Sequence, residues 1–220
     1  MARAAALVLS IAAGALTGGC VVGARSLQPP PNDESTVVLL TGALVPPLDD
    51  VARHPWFAVR RKGEQDWRVY EVPSIGVEAD PFRSHRPYRR PIVHKVWRGA
   101  QAERGADCLE REAARWIQQL DYRFYPGPNS NTFGDVMLRK CKLRASMPST
   151  SIGKDWRGWI GGGVTSEGTG LQLETPFVGV KLGLKEGVEL HVLGLSIGID
   201  LWPPAIIVPL GPGRLGIADR

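Results

Sequence analysis

From Leu171 to Leu210 the chain is written in short alternating runs, LQLETP, FVGVKLGLK, VELHVLGLS, IGIDLW and AIIVPL. A period of two commits a segment to β-strands, and turn signals such as KEG, Lys185 to Gly187, break the runs into antiparallel hairpins. This part of the protein has to be a sheet. Glycine at every second or third position weakens such strands unless something packs close to the backbone. Two occupants fit that space, the preceding lobe of the protein or an apolar ligand, and packing on the lobe is the expectation carried forward. The strands are too short for an outer-membrane barrel, which takes at least eight strands of about ten residues.

The lobe before it mixes strands and helices. VVLLTGAL, Val37 to Leu44, is an apolar run of strand length, and HPWFAVRRKG with DWRVYEV predicts a hairpin over residues 55–72 around the Gly63 turn. Ser74 to Pro91 reads as loop, and Ile92 to Trp97 as a further strand. In DCLEREAARWIQQL, Leu109, Ala113, Trp116, Ile117 and Leu120 share one helical face, with Asp107 and Glu110 spaced as a capping box. A second helix is expected over Asn131 to Lys140, with Phe133, Val136 and Met137 on its apolar side. The fold class is therefore α+β, with a core over residues 36–145 and a β-rich C-terminal part, residues 146–220, packed on it.

The front of the chain reads as an address. MARAAALVLSIAAGALTGGC has Arg3 followed by an apolar stretch from Ala4 to Leu16, which is the pattern of an export signal and too short to cross a bilayer. The ending LTGGC resembles the lipobox of bacterial lipoproteins, which implies that residues 1–19 are removed and that Cys20 is lipidated; a signal cut by the ordinary peptidase is the alternative. Val21 and Val22 after the cysteine resemble lipoproteins forwarded to the outer membrane, on its periplasmic face, where the organism has one. Residues 20–35, with three consecutive prolines, read as a tether. The mature chain would hold 26 basic and 22 acidic residues, a net charge of +4. Export and so small a charge disfavour nucleic acid as a partner. Cys108 and Cys141 are left as a disulfide pair or as two buried thiols, and the sequence does not choose between them.

Chemistry concentrates at YPGPNSNTF, Tyr125 to Phe133, where Asn129, Ser130 and Asn131 lead into a helix. A hydroxyl at a helix start lies among unsatisfied backbone N–H groups, which favours either a nucleophile or a cap. His54 opens the HPWFAV strand, and His94 in IVHKVW is a candidate third member of a triad or a hydrogen-bonded structural histidine. Arg86 lies with His85, Arg83, Arg89 and Arg90 in a basic loop suited to phosphate, anionic headgroups or peptidoglycan carboxylates, unless it is simply solvated. No pair of His, Asp or Glu has a metal-ligand spacing and no cofactor motif is present, so neither a metal nor a cofactor is expected.

HPWFAV, a partner strand ending YEV and the helix opening NSNTF together resemble the circularly permuted papain-like fold of NlpC-type peptidases and lecithin:retinol-acyltransferase relatives. That resemblance places His54 as the catalytic histidine, Ser130 in the position of the cysteine nucleophile, and Asn129 and Phe133 at its flanks. Serine lacks the standing thiolate fraction of a cysteine and depends wholly on an adjacent base. HPWFAV, YPGPNSNTF, SIGKDWRGW and GIDLWPPAI, in that order, are similar to the bacterial family catalogued as domain of unknown function 3750, which implies fold and envelope location without an activity. Two functions are expected. One is a membrane-tethered envelope lipoprotein with a non-catalytic binding or structural role, in which Asn129, Ser130 and Asn131 serve as cap and turn. The other is a serine-type hydrolase or acyltransferase on amide or ester bonds of peptidoglycan or lipid, with His54 as base and Ser130 as nucleophile.

Overall fold

A computed structural model describes residues 30–217 apart from Asp50, Pro73, Ser84, Arg86, Leu120, Gly211 and Pro212. The expected signal, Cys20 and most of the tether lie outside the described residues, as does Arg86. Strand β1, Thr36–Ala43, is buried along its whole length, as an apolar run without alternation requires. It pairs antiparallel with β2, Arg53–Arg60, on one side and β5, Arg89–Arg98, on the other. Strands β3, Trp67–Tyr70, and β4, Ile75–Glu78, complete a five-stranded antiparallel sheet in the order β4-β3-β2-β1-β5. Strand β4 falls inside the segment expected to be loop, because IGVE is too short and too exposed to register as a strand in sequence.

Both faces of this sheet are covered. Helices α1, Gly99–Gln118, and α2, Ser130–Lys140, close one face over Val37, Leu39, Phe57 and Val59, with Phe133, Met137 and Leu138 contributed by α2. The opposite face carries Val38, Leu40, Trp56 and Ala58, capped by Phe82 and Tyr88 from the segment between β4 and β5. Helix α1 begins eight residues before the expected Asp107. The glycine that hides this start is Gly105, where a Cβ would fall 2.8 Å from Leu143. Asp107 and Glu110 are not a cap; they lie within the helix and accept from Arg61 at 2.8 and 3.1 Å. The C-terminal strands are β6, Gly161–Val164; β7, Gly170–Glu174; β8, Val178–Gly183; β9, Gly187–Val192; β10, Leu195–Leu201; β11, Pro204–Ile207; and β12, Arg214–Gly216. They form a seven-stranded antiparallel meander in which each strand pairs with its neighbour in sequence.

The meander packs on the first lobe with its polar side. Gln172, Glu174, Lys181, Glu189, His191 and Ser196 are buried, whereas the apolar residues between them face outward. The strand glycines are crowded from within the sheet: at Gly179 a Cβ would lie 1.7 Å from a carboxylate oxygen of Glu174, its partner on the neighbouring strand.

Cys108 of α1 and Cys141, the C-cap of α2, are joined in a disulfide. It ties the two helices across a sequence separation of 33 residues. A loop of that length stabilises the fold by about 3 to 4 kcal/mol in the chain-entropy description. Urea unfolding with and without reductant should show a loss of that size, and a loss below about 1 kcal/mol would mean that the helix packing alone fixes α1 on α2.

Candidate functional site

Side chains alternate across a strand, so the register of β2 decides what each residue can reach. Phe57 meets Phe133 of α2 edge-on at 6.4 Å, and Pro55, two residues earlier on the same face, lies 3.2 Å from where a Cβ on Gly134 would be. Strand β2 thus presents Pro55 to α2. His54 leaves the strand on the opposite face, beside Trp56, and stacks on Tyr88 with ring centroids 3.8 Å apart and planes within 6°.

There His54 belongs to a buried polar cluster. Its Nε2 donates to Glu71 Oε2 at 2.6 Å. His85 Nε2 lies 3.0 Å from the same oxygen, and His85 Nδ1 donates to Glu78 Oε1 at 2.6 Å. Burial drives His54 below its ordinary pKa against the opposing pull of Glu71, so it is held neutral. Burial also acts against the charge on His85, but Glu71 and Glu78 outweigh it and its pKa is raised. For Glu71, burial is overcome by its contacts with the two histidines, and its pKa falls to about 2. His94 is elsewhere, 2.8 Å from Thr41 Oγ1, so the residue that orients His54 is Glu71. Glu71 carries no site signal in the sequence, where YEV reads only as the end of a strand. His85, read there as part of a basic loop, is 2 % exposed.

The start of α2 is a separate construction. Asn129 is its N-cap: Oδ1 accepts from the backbone N–H groups of Asn131 and Thr132 at 2.9 and 3.1 Å, and Thr132 Oγ1 accepts from Asn129 N. The amide ends of Asn129 and Asn131 both donate to Ile152 O, at 3.1 and 2.9 Å, clamping the following loop to the helix. Ser130 is the first helical residue, buried, and is not the cap. Among the described residues no hydrogen bond joins its hydroxyl to His54. The structure therefore gives Ser130 the helix start and His54 a different set of partners.

A third polar region lies between the two lobes. Lys154 Nζ donates to Glu189 at 3.1 Å and to Asp155, and Lys181 Nζ donates to Asp155 and Glu189 at 3.2 and 3.3 Å. His191 donates from Nδ1 to Glu174 at 2.6 Å and from Nε2 to Glu189 at 2.9 Å. Burial opposes a charge on His191, but Asp155, Glu174 and Glu189 overcome it and its pKa is raised. One ligand atom from each of Asp155, Glu174 and His191 lies within 4.8 Å of the others, the spacing of a cation site, yet the Lys154 and Lys181 ammonium groups already neutralise Asp155. Arg157 and Asp135 extend the seam to α2, with Nη1 donating to Oδ2 at 2.5 Å. Beside the seam opens a cavity of about 190 Å³ lined by Arg53, Asp135, Lys185, Glu186, Asp200 and Trp202, among others. Glu186 is 4 % exposed, and its Oε1 is buried without a hydrogen-bond partner.

A carboxyl group whose pKa drops on folding contributes stability above its unfolded pKa and loses it as the pH falls through the folded one. For Glu71 that window runs from its ordinary 4.5 down to about 2. Urea midpoints measured across that window should fall more steeply for the native chain than for Glu71→Gln, and parallel profiles would remove Glu71 from the cluster's energetics.

The sequence matches the family described as "Protein of unknown function (DUF3750)" over residues 35–156, more than half of the chain. No curated protein and no solved structure matches it. The matched span takes in the five-stranded sheet, both helices and the loop clamped by Asn129 and Asn131, and it ends just before the meander. The chain belongs to the DUF3750 family.

Proposed function

We propose that this chain is a membrane-tethered lipoprotein of the bacterial cell envelope that binds its target without transforming it, on a scaffold related to the permuted papain-like fold. The observation that carries this proposal is that β2 offers Pro55, rather than His54, to the helix that begins at Ser130. A serine hydroxyl is a nucleophile only with a base within hydrogen-bond reach. His54 is instead held by Glu71 and Tyr88. Asn129 and Asn131 are engaged in capping and clamping, which suits a structural role for the NSN motif.

The cavity between the lobes is the binding site of this reading. Its lining mixes Arg53 and Lys185 with Glu186 and Asp200. A small zwitterionic group fits that lining better than an acyl chain does. Of the expected partners, the peptide stems of peptidoglycan have that chemistry. Titration with soluble muropeptides should raise the melting temperature of the native chain, and Lys185→Gln should weaken binding about tenfold, as loss of a charged donor predicts. Equal affinity of the two proteins would remove the cavity from this role.

The serine hydrolase or acyltransferase alternative retains one supporting observation, the position of Ser130 at a helix start. A fluorophosphonate probe separates the two readings. Binding alone predicts no labelling of the native chain, whereas labelling that disappears in Ser130→Ala would establish the nucleophile and overturn the non-catalytic reading.

A further inference from the structure

The seven-stranded meander is inverted relative to an ordinary antiparallel sheet. Such a sheet packs its apolar side on the core and turns its polar side to water. Here the polar side is buried, and the outer side carries a cross-strand row that runs through all seven strands: Val164, Leu171, Leu182, Val188, Ile199, Ile206 and Leu215. Every member is between 41 and 69 % exposed. A second row, Leu173, Val180, Leu190 and Ile197, lies parallel to it. Six inter-strand steps make the face about 29 Å wide, and with its depth it covers on the order of 500 Å², at the upper end of what monomeric proteins expose.

We propose that this face is a bilayer-docking surface, which lies in the headgroup and upper acyl region of a phospholipid membrane. Apolar-out and polar-in alternation is the arrangement of lipid-facing strands. The rims match as well. Trp202 stands in a turn at one end of the strands, and Phe177 stands at the other end with Trp159 beside β6; the three are 70, 64 and 63 % exposed respectively. Aromatic residues at both borders of an apolar band are the anchors of a membrane interface. Strands of three to seven residues fall well short of the nine to eleven that cross a bilayer, so the sheet lies on the membrane rather than through it.

A membrane is favoured over a second copy of the chain by the segment that precedes Pro30, and this step rests on the lipoprotein reading above. Pro30 O accepts from Arg60, at the end of β2 that pairs with Thr36. The meander attaches at the far end of that sheet, where Arg53 N donates to Thr150 O and Ser149 Oγ donates to Gly213 O. The eight residues of β1 separate these ends by about 26 Å, and the ten residues from Cys20 to Pro30 span up to about 35 Å. A tether of that reach exceeds the separation of the two ends, which lets an anchor at Cys20 and the apolar face meet one surface.

The test uses the full chain with Cys20→Ser, which removes the lipid, and one environment-sensitive fluorophore at Leu190→Cys or, for reference, at Val77→Cys on the other sheet. Both native positions are solvent-exposed. Vesicles of phosphatidylethanolamine and phosphatidylglycerol should shift the position-190 probe to the blue, doxyl groups high on the acyl chains should quench it, and the position-77 probe should respond to neither. Adding Leu182→Glu and Ile199→Glu should lower vesicle partitioning at least tenfold, with an unchanged circular dichroism spectrum as the fold check. Sedimentation with vesicles while the position-190 probe stays unquenched would mean that the N-terminal apolar segment alone binds, and would overturn the proposal. A blue shift that depends on protein concentration without lipid, with a doubled mass by light scattering, would assign the face to a second copy and overturn it equally. Failure of the lipoprotein reading is detected separately, by the absence of an acylated N-terminus on the native protein from cells.

Discussion

The ion network between the lobes is the constraint on which the rest of the architecture depends. Two lysines, one histidine and three carboxylates, Lys154, Lys181, His191, Asp155, Glu174 and Glu189, are brought out of water at one seam. Removing each ion from water costs several kcal/mol, and only close pairing with further hydrogen bonds offsets that. With His191 protonated the six formal charges cancel, which accords with the upward shift of its pKa. Deleting any one partner strands a buried charge, an effect of about 3 to 5 kcal/mol.

Such a network contributes less to net stability than to the uniqueness of the packing. Lys181 stands opposite Glu189 on β8 and β9, and Gln172 stands opposite Lys181 on β7. A slip of one residue would turn these groups outward and bring Leu182 and Leu190 to the seam, an exchange the buried carboxylates of Asp155 and Asp135 would not tolerate. The same pairing commits the apolar residues to the outside. The exposed apolar face of the meander is thus a direct consequence of burying its charges.

How much of this was legible in the sequence depended on the kind of signal. The fully apolar run of β1, the hairpin around Gly63, the helix from Asn131 and the two-residue period of the C-terminal strands each carry local information, and each element stands close to its expected place. The early start of α1 was hidden because Gly105 reads as a break in sequence, whereas its purpose is to admit Leu143. The inversion of the meander was not legible for a deeper reason. A period of two says that two faces differ, but not which of them meets the core. That choice goes with Lys154, Asp155 and Arg157, which lie outside the alternating strands. Glu71 was overlooked for a similar reason: a carboxylate just past a short strand gives no sign that two distant histidines converge on it.

The same parity governs the candidate site. His54 and Pro55 are neighbours in sequence, yet alternation sends one toward Tyr88 and the other toward α2. A histidine placed one position along β2 would have faced the helix that begins at Ser130. A motif match that aligns residue types without fixing the face of the strand cannot tell these arrangements apart, although they differ in whether a base meets a hydroxyl. In this chain the face next to the helix start is filled by a proline ring, which neither accepts nor donates a proton. The imidazole on the other face is tied into a cluster with two glutamates and a tyrosine. Among the described residues a charged cavity lies between the lobes, and the apolar side of the meander is exposed. Both exist because the polar side of that sheet faces inward.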